Sequence, residues 1–377
     1  MYAPVPEQDQ GKDLVTVLRT GVSYDSNLFG AATGEVDSMI FTFSPRVNYN
    51  ASLTAKTFFA AAYGATIDYF ENRPGDKLLD SHDAMVRLAH AFSPATTIDV
   101  TDSLMLSRNP ESALPGIGTL PGVTLNPDQS FTRNQLDGRF ATPLHPKAVL
   151  TLKARSVFYK YRNDAVGRSL DRFENLYGAS ADYAFLPEVK LVAEYRRQEV
   201  FYRKLGETKN KASDYVMAGA DYFVARKVSF SGRLGNEWRR RDAEASTRSP
   251  YVELSGKYDF AEKSYLVGGY VYTLEETSDT TRFTDSKVHR MFVNAQKALT
   301  ALIVASASIT YETATLQGRR GLSNLDEDTA RVGAGVSYLP TKNWTVSVSY
   351  DHDRVFSEDA PRDLTRHRVG LTGSYSF

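Results

Sequence analysis

The chain has 377 residues, with 45 Lys and Arg against 45 Asp and Glu, and it contains no cysteine. A net charge of zero gives no long-range field toward nucleic acid, and the absence of cysteine excludes disulfides and thiolate metal sites. No run approaches the roughly 18 apolar residues of a membrane helix, which excludes helical spans but leaves membrane-crossing strands open.

The chain opens with MYAPVPEQDQGKD, which has no apolar segment typical of a signal peptide. After it, segments with period-two alternation begin with LVTVLRTGVSY and FTFSPRVNY and end with NWTVSVSY and HRVGLTGSYSF. We count about eighteen such segments, each long enough for a tilted strand that crosses a bilayer with roughly 9–11 residues. No linker or charge run marks a second domain. We therefore predict a periplasmic N-terminal tail over residues 1–12 and a single barrel over residues 13–377.

The connections between these segments alternate between short and long. FSPATT, TPLHPK and LPTKN are short, whereas ENRPGDKLLDS, RRDAEASTR and the stretch 108–129 are long. Membrane barrels have short periplasmic turns and longer extracellular loops, whereas a propeller blade would need four short strands per repeat. The pattern predicts an all-β fold, a transmembrane antiparallel up-and-down β-barrel of about 18 strands with both termini periplasmic.

Each predicted strand has one apolar and one polar face. Trp344, Val346 and Val348 share a face, and Thr345 and Ser347 share the other. A soluble β-sandwich would alternate in the same way, but here aromatic residues cluster at strand ends beside both kinds of connection, as in the interfacial girdles of membrane barrels. We expect the apolar face to meet outer-membrane lipid and the polar face to line the interior.

The final strand, GLTGSYSF, ends on Phe377. In this it resembles Gram-negative outer-membrane β-barrel proteins, and that resemblance implies recognition of the last strand by the barrel assembly machinery. The opening RTGVSYDSNLF, followed by a strand with Ser44 and Pro45, is similar to the putative beta-barrel porin type 2 family. This second resemblance implies an exopolysaccharide-export barrel, with a polysaccharide and periplasmic export proteins as partners.

On each predicted strand, every second residue belongs to the polar face that we expect to point inward. These inward residues place charges of both signs in the predicted lumen. They fit two interpretations: a structural ladder of ion pairs, each contributing about 0–1 kcal/mol, or an arginine stripe that selects anions. Arg19, Arg331, Arg366 and Arg368 are the best candidates for a basic patch. The candidate lumen-lining residues are Arg19, Arg87, Arg133, Arg139, Lys153, Arg155, Arg196, Arg233, Arg331, Arg366, Arg368, Glu194, Glu237, Glu253 and Asp182. The aromatic residues with the same parity, candidates for stacking on sugar rings, are Phe131, Tyr159, Tyr215, Tyr251 and Tyr265.

Motifs for enzymatic or metal chemistry are weak. No G-x-S-x-G motif links a strand to a helix, and PGIGTLPG lies in a loop without a following helix. His352 between two aspartates is either part of a rim triad or a solvated loop base, and NLDED and SEDAPRD are either weak Ca²⁺ loops or solvated loops. We expect no enzymatic activity, no catalytic residue, no cofactor, no metal and no nucleic-acid partner. Four prolines stiffen the stretch 108–129, which we expect to form a constriction or a lid.

The predicted function is an outer-membrane channel or porin that passes polar solutes, or exports an exopolysaccharide chain, through a charged lumen. The alternative is a structural or adhesion barrel whose lumen is plugged and whose loops bind a partner. The predicted location is the bacterial outer membrane.

Overall fold

The computed structural model describes residues 13–108, 130–204, 206–224, 227–277, 279 and 282–377, and this part of the chain is almost entirely β-strand. The first nine strands are β1 Leu14–Asp25, β2 Ser38–Thr54, β3 Thr57–Phe70, β4 Leu78–Ala91, β5 Thr97–Ser107, β6 Phe131–His145, β7 Ala148–Tyr161, β8 Arg172–Leu186 and β9 Val189–Tyr202. The other nine are β10 Lys211–Val224, β11 Val228–Arg241, β12 Thr247–Ala261, β13 Ser264–Glu275, β14 Phe283–Ala298, β15 Ile303–Gly318, β16 Leu325–Tyr338, β17 Trp344–Ser357 and β18 Leu364–Ser376.

The strands form one closed sheet. Each strand pairs antiparallel with its neighbours in sequence, and β1 pairs with β18 from Val17 opposite Ser376 to Asp25 opposite Arg368. The last residue is part of this seam, since the Phe377 backbone N–H donates to the Thr16 carbonyl at 2.9 Å. Closure leaves no strand edge open to pairing with another chain. The predicted 18-strand up-and-down barrel is confirmed, while the side of the membrane on which the termini lie stays a prediction.

The helices are short and lie between strands. They are α1 Asp164–Leu170, α2 Gly206–Lys209 and the 3-10 helix Ala360–Arg362. Asn163 caps the N-terminus of helix α1, and its side chain accepts hydrogen bonds from the backbone N–H groups of Ala165 and Val166, as expected for an N-cap residue. Within the described ranges, none of these helices has the length and apolar character needed to cross a membrane.

Some strands reach further than the sequence pattern predicts. The NLDED stretch, expected to be a loop, belongs largely to β16, and β17 continues to Ser357. Strand ladders continue past the apolar belt because every added residue satisfies its backbone hydrogen bonds on a neighbouring strand.

The outward face of the barrel is apolar. Trp344, Val348 and Leu234 are 48%, 52% and 58% exposed, and each alternates with a polar or small residue. The opposite face must be the inner one, because its side chains contact strands that are not neighbours: the Arg196 guanidinium on β9 lies 3.3 Å from the Tyr251 hydroxyl on β12. The apolar belt therefore lies on the outside of the barrel and the polar face lines its interior, as predicted, while contact of the belt with lipid stays a prediction.

Candidate functional site in the barrel lumen

The inner wall formed by β6–β9 carries more cations than carboxylates. Arg139 on β6 lies directly opposite Lys153 on β7. The Lys153 ammonium contacts Glu194 Oε1 at 3.0 Å, and Arg196 Nε contacts the same oxygen at 2.8 Å. Arg139 is exposed and forms no ion pair with any residue that the structure describes. Lys153 and Arg196 thus share one carboxylate, and Arg139 lies opposite Lys153 as a third cation. We name Arg139, Lys153, Arg196 and Glu194 the cation cluster.

A glycine allows the cation cluster to form. Gly178 on β8 lies opposite both Lys153 and Arg196. A Cβ atom at Gly178 would lie 3.7 Å from Lys153 Cβ and 3.7 Å from Arg196 Cγ. The missing side chain leaves the Lys153 side chain room to pass over β8 and reach Glu194 on β9.

Other predicted lumen cations are neutralised by carboxylates on adjoining strands. Arg87 pairs with Asp99 at 2.6 Å, Arg155 with Asp137 at 2.6 Å, and Arg233 with Asp221 at 2.8 Å. These contacts match the structural interpretation, in which cross-strand pairs hold the wall. Arg133 instead donates to the hydroxyl of Tyr159 at 3.0 Å.

The predicted basic patch at the seam is largely neutral, which corrects the prediction. Arg366 forms a buried, two-pronged pair with Asp25, while Arg368 and Arg331 approach Asp353 at 2.8 and 3.7 Å. Asp25 and Asp353 lie at strand ends and share the inward-facing alternation of their strands. Extending that alternation to the strand ends would have predicted both as lumen residues beside the arginines. Only one of the four predicted patch residues remains without an ion pair in the described chain: the exposed Arg19.

Two predicted carboxylates accept hydrogen bonds, whereas the third has no such contact with the part of the chain that the structure describes. Glu237 is fully buried and accepts from Ser213 at 2.6 Å and Arg239 at 2.8 Å. Glu253 accepts from the Tyr251 hydroxyl at 2.8 Å. Asp182 lies on β8 opposite Val149 and Val192.

A segment at the long-loop end of the barrel folds inward over the inner face of β12 and β13. Asp285 at the start of β14 contacts Lys211 on β10 at 3.0 Å and Arg239 on β11 at 2.6 Å, and it also pairs with Arg241. Because β12 and β13 lie between these strands, the contact requires an inward excursion. A β-bulge between Phe283 and Ser286 provides it. We call residues 276–286, in their described part, the mouth segment.

The carboxylate of Glu276 anchors the other end of the mouth segment. Its Oε1 lies 2.9 Å from the Lys211 ammonium, and its Oε2 accepts from the Tyr202 hydroxyl at 2.8 Å. Burial opposes ionisation of Glu276, but Lys211 and Arg239 outweigh it and lower the pKa of Glu276 to about 2. Asp285 and Arg239 are 0% and 2% exposed, so the ion pair between them is shielded from solvent.

The long loops around the mouth segment are tied to one another. Arg319, after β15, donates to the Thr208 carbonyl of α2 at 2.9 Å, and Arg282 of the mouth segment pairs with Asp359 at 2.8 Å. Lys209 donates to the Ser169 carbonyl at 3.2 Å. Burial, with Arg319 nearby, lowers the pKa of Lys209 to about 8. These contacts narrow the opening of the barrel on one side of its long-loop end.

The acidic stretches considered for Ca²⁺ have protein partners instead. In NLDED, Asp326 accepts from Thr315 at 2.7 Å and Glu327 pairs with Arg362 at 2.8 Å. In SEDAPRD, Asp363 pairs with Arg354 at 2.5 Å. Within the described ranges, no group of three or more His, Asp or Glu side chains is placed to hold a metal ion.

The remaining candidate motifs do not form a site in the lumen. His352 lies within β17 on the outer face, with its Nδ1 3.2 Å from Nδ1 of His367, and not in a loop. Of the aromatic residues proposed to stack on sugars, Phe131, Tyr215 and Tyr251 are buried, the last two in an edge-on contact of 5.7 Å. The proline-rich stretch lies almost wholly in residues 109–129, outside the described residues.

Comparisons with solved structures show which proteins share this barrel fold. No protein-family model matches the sequence. No curated protein matches it either. Among solved structures, the chain is similar to the outer membrane protein opdK from Pseudomonas aeruginosa, with a TM-score of 0.51, 12% identity and coverage of 97% of this chain and 99% of that one. Acinetobacter baumannii OccAB2 matches with a TM-score of 0.51, 12% identity and 97% coverage of both chains.

A third similar structure is larger. The FrpB iron transporter from Neisseria meningitidis matches with a TM-score of 0.53 and 11% identity over 94% of this chain. The chain spans 63% of the length of that FrpB structure. Together these similarities show that the chain has the fold of a bacterial outer-membrane β-barrel protein. Its closed 18-stranded sheet and apolar outer belt fit an outer-membrane location.

Proposed function

We propose that the protein is an outer-membrane channel for polar solutes. The observation that carries the proposal is the charged, solvent-accessible inner face of a closed 18-stranded barrel, where the side chains of Arg155 and Lys153 remain 52% and 39% exposed. Barrels of 16–18 strands are wide enough to enclose an aqueous passage. The name of the FrpB iron transporter, a structural neighbour, supports a transport role.

We further propose that small anions are favoured solutes. The cation cluster holds three positive groups and one carboxylate, and the guanidinium fork of Arg139 matches carboxylate or phosphate geometry. Within the described residues this guanidinium has no ion pair. The neighbour opdK has also been solved with vanillate, a carboxylate. Most other lumen charges are paired, so the preference depends on this cluster and not on net charge.

Planar-bilayer recording of the full chain tests both statements. The proposal expects stable conductance steps, and under a salt gradient a reversal potential on the anion-selective side. Arg139→Gln with Lys153→Gln should lower the anion-to-cation permeability ratio by roughly three-fold for each charge, the equivalent of about 0.6 kcal/mol for a partly screened charge. The control is Arg248→Gln, an exposed arginine on the outer face. Folded barrels that never conduct would contradict the channel.

The alternative, a plugged barrel with loops that bind a partner, is supported by the mouth segment and the tied loops. Silence in bilayers from a correctly folded protein would favour it. Export of an exopolysaccharide chain is a narrower form of the channel proposal and depends on the resemblance to the type 2 porin family. Tyr159 and Tyr265, which are only partly buried, would be the remaining stacking residues. Block of the current by added polysaccharide would support that form.

A further inference from the structure

Two histidines face each other on the outer surface of the last hairpin. His352 on β17 lies directly opposite His367 on β18. Their side chains follow the outward alternation of Val348 and Val369, which are 52% and 47% exposed. The two histidines are 15 residues apart in the sequence. Only the register of the hairpin brings them together, so the alternation of the strands alone does not predict a site here.

The strand pairing brings the two imidazoles as close as a β-sheet allows. The backbone N–H of His367 donates to the Ser26 hydroxyl at 2.8 Å, and its carbonyl accepts from the Ser26 N–H at 3.0 Å. Both groups therefore point toward β1 and away from β17. Because the N–H and C=O of one residue point to the same side of an antiparallel strand, His352 and His367 form a pair without backbone hydrogen bonds between them. In such pairs the Cα atoms are only about 4.5 Å apart.

Three polar atoms converge at this pair. Nδ1 of His352 lies 3.2 Å from Nδ1 of His367, and the Tyr350 hydroxyl lies 3.0 Å from the same His367 nitrogen. The ring centres are 4.5 Å apart, so the Nδ1 edges of the two rings lean toward each other. An imidazole nitrogen has either one proton or one lone pair, so His367 Nδ1 cannot form a separate hydrogen bond with each neighbour. A bound cation between the rings would use both lone pairs.

The separation of the nitrogens fits a shared metal ion. Imidazole nitrogens bind Zn²⁺ at about 2.0–2.1 Å, so two nitrogens 3.2 Å apart subtend an angle of about 100° at the ion, close to the tetrahedral value. Imidazole suits Zn²⁺, Cu²⁺ and Ni²⁺, whereas Ca²⁺ and Mg²⁺ prefer oxygen ligands. The Tyr350 hydroxyl and water are available for the remaining positions.

The pair lies where ions from water can reach it. His352 is eight residues from Trp344 at the short-turn end of β17, which is about 26 Å along the strand at roughly 3.3 Å per residue. With a tilt of about 45°, this distance is about 19 Å of depth in an apolar band about 25 Å tall. Arg354, two residues further on the same face, already pairs with Asp363 at 2.5 Å. The histidines therefore lie near the boundary between the apolar belt and the charged rim.

We propose that His352 and His367 form a binding site for a divalent first-row transition-metal ion, with both Nδ1 atoms as ligands. The ion would join β17 to β18 on the outside of the barrel. The site is separate from the lumen, so the inference does not depend on channel activity. His289, also on the outer face, provides a matched comparison. Its Nδ1 contacts the Tyr270 hydroxyl at 2.8 Å, but within the described residues it has no second histidine beside it.

Isothermal titration of the full chain in detergent, purified without a histidine tag, tests the site with Cu²⁺ and Zn²⁺ as probes. The wild type should bind both ions saturably. His352→Asn and His367→Asn should each weaken binding by at least about ten-fold, since loss of a residue that merely supports a ligand already costs that much. His289→Asn should bind like the wild type. Ca²⁺ and Mg²⁺ in excess should not displace the probe ions.

Electron paramagnetic resonance of the Cu²⁺-loaded chain identifies the ligands independently of affinity. The wild type and His289→Asn should show coupling to two imidazole nitrogens, and His352→Asn and His367→Asn to one at most. Cu²⁺ coupled to fewer than two imidazoles in the wild type would overturn the proposal. So would affinities that neither hairpin variant changes, or an equal loss of affinity in His289→Asn, because binding would then not depend on the paired histidines.

Discussion

Arg366 on β18 and Asp25 on β1 form a buried ion pair across the seam that closes the barrel, with Nε 2.9 Å from Oδ1 and 3.1 Å from Oδ2. The two residues are 4% and 2% exposed. Asp25 also accepts from the backbone N–H of Asn27 at 3.0 Å, which fixes the carboxylate at the start of the β1–β2 connection. The pair joins the first and last strands, whose contact is the most distant in sequence.

Breaking this pair should destabilise the barrel. Arg366→Gln leaves the Asp25 carboxylate buried without its cation, which typically costs about 3–5 kcal/mol. The double variant Asp25→Asn with Arg366→Gln should cost less, because no charge is left unpaired. Urea unfolding in lipid vesicles, followed by the fluorescence of the two tryptophans, measures both. Arg19→Gln is the control and should stay within about 0.5 kcal/mol of wild type; a seam variant that unfolds like this control would contradict the role of the pair.

Removing the single carboxylate of the cation cluster should increase anion selectivity, whereas removing its cations should decrease it. Glu194→Gln leaves Lys153 and Arg196 without their shared counter-ion, so the reversal potential under a salt gradient should move further toward anion selectivity. Glu262→Gln, which removes an exposed turn carboxylate, makes the same charge change outside the lumen. If both variants shift the reversal potential equally, the selectivity does not arise from this cluster.

The barrel and the orientation of its side chains could be predicted from sequence because period two is a local property. Lys153 and Leu152 point in opposite directions wherever the strand pairs, and closure follows from strand number and connection length. The same logic placed Arg139 and Glu194 on the inner face. It did not give their partners, since these depend on the stagger between strands.

The mouth segment could not be predicted in this way. The contacts of Asp285 join strands three and four apart and depend on the bulge between Phe283 and Ser286, where the alternation fails. The predicted basic patch failed for a different reason. Asp25 and Asp353 follow the inward-facing alternation of their strands, but the sequence analysis treated them only as parts of motifs at the strand ends.

Releasing the mouth segment should widen the passage. Asp285→Asn removes the carboxylate that meets Lys211, Arg239 and Arg241, and the loss of such a buried partner costs about 3–5 kcal/mol locally. Single-channel recordings should then show larger or more variable conductance steps. Asp259→Asn, which breaks the half-exposed pair with Lys257, is the control. Unchanged steps in the Asp285 variant would show that the segment does not limit conduction.

The attachment of the mouth segment should also depend on pH through Glu276. Lys211 and Arg239 overcome the opposing effect of burial and lower the pKa of Glu276 from 4.5 to about 2. A carboxylate with a lowered pKa contributes its full stabilisation above the unfolded value of 4.5 and loses it as pH falls toward about 2. Conductance should therefore be constant from pH 7 to about 5 and rise between pH 4.5 and about 2.

The variant Glu276→Gln separates this carboxylate from the rest of the lumen. It cannot ionise, so its conductance at pH 7 should already match that of the acidified wild type, and its dependence between pH 4.5 and about 2 should be lost. Glu262→Gln should keep the wild-type profile. An acid-induced rise that persists in the Glu276 variant would assign the transition to other carboxylates. Loss of the rise would show that the pair between Glu276 and Lys211 holds the segment inward, over the inner face of β12 and β13.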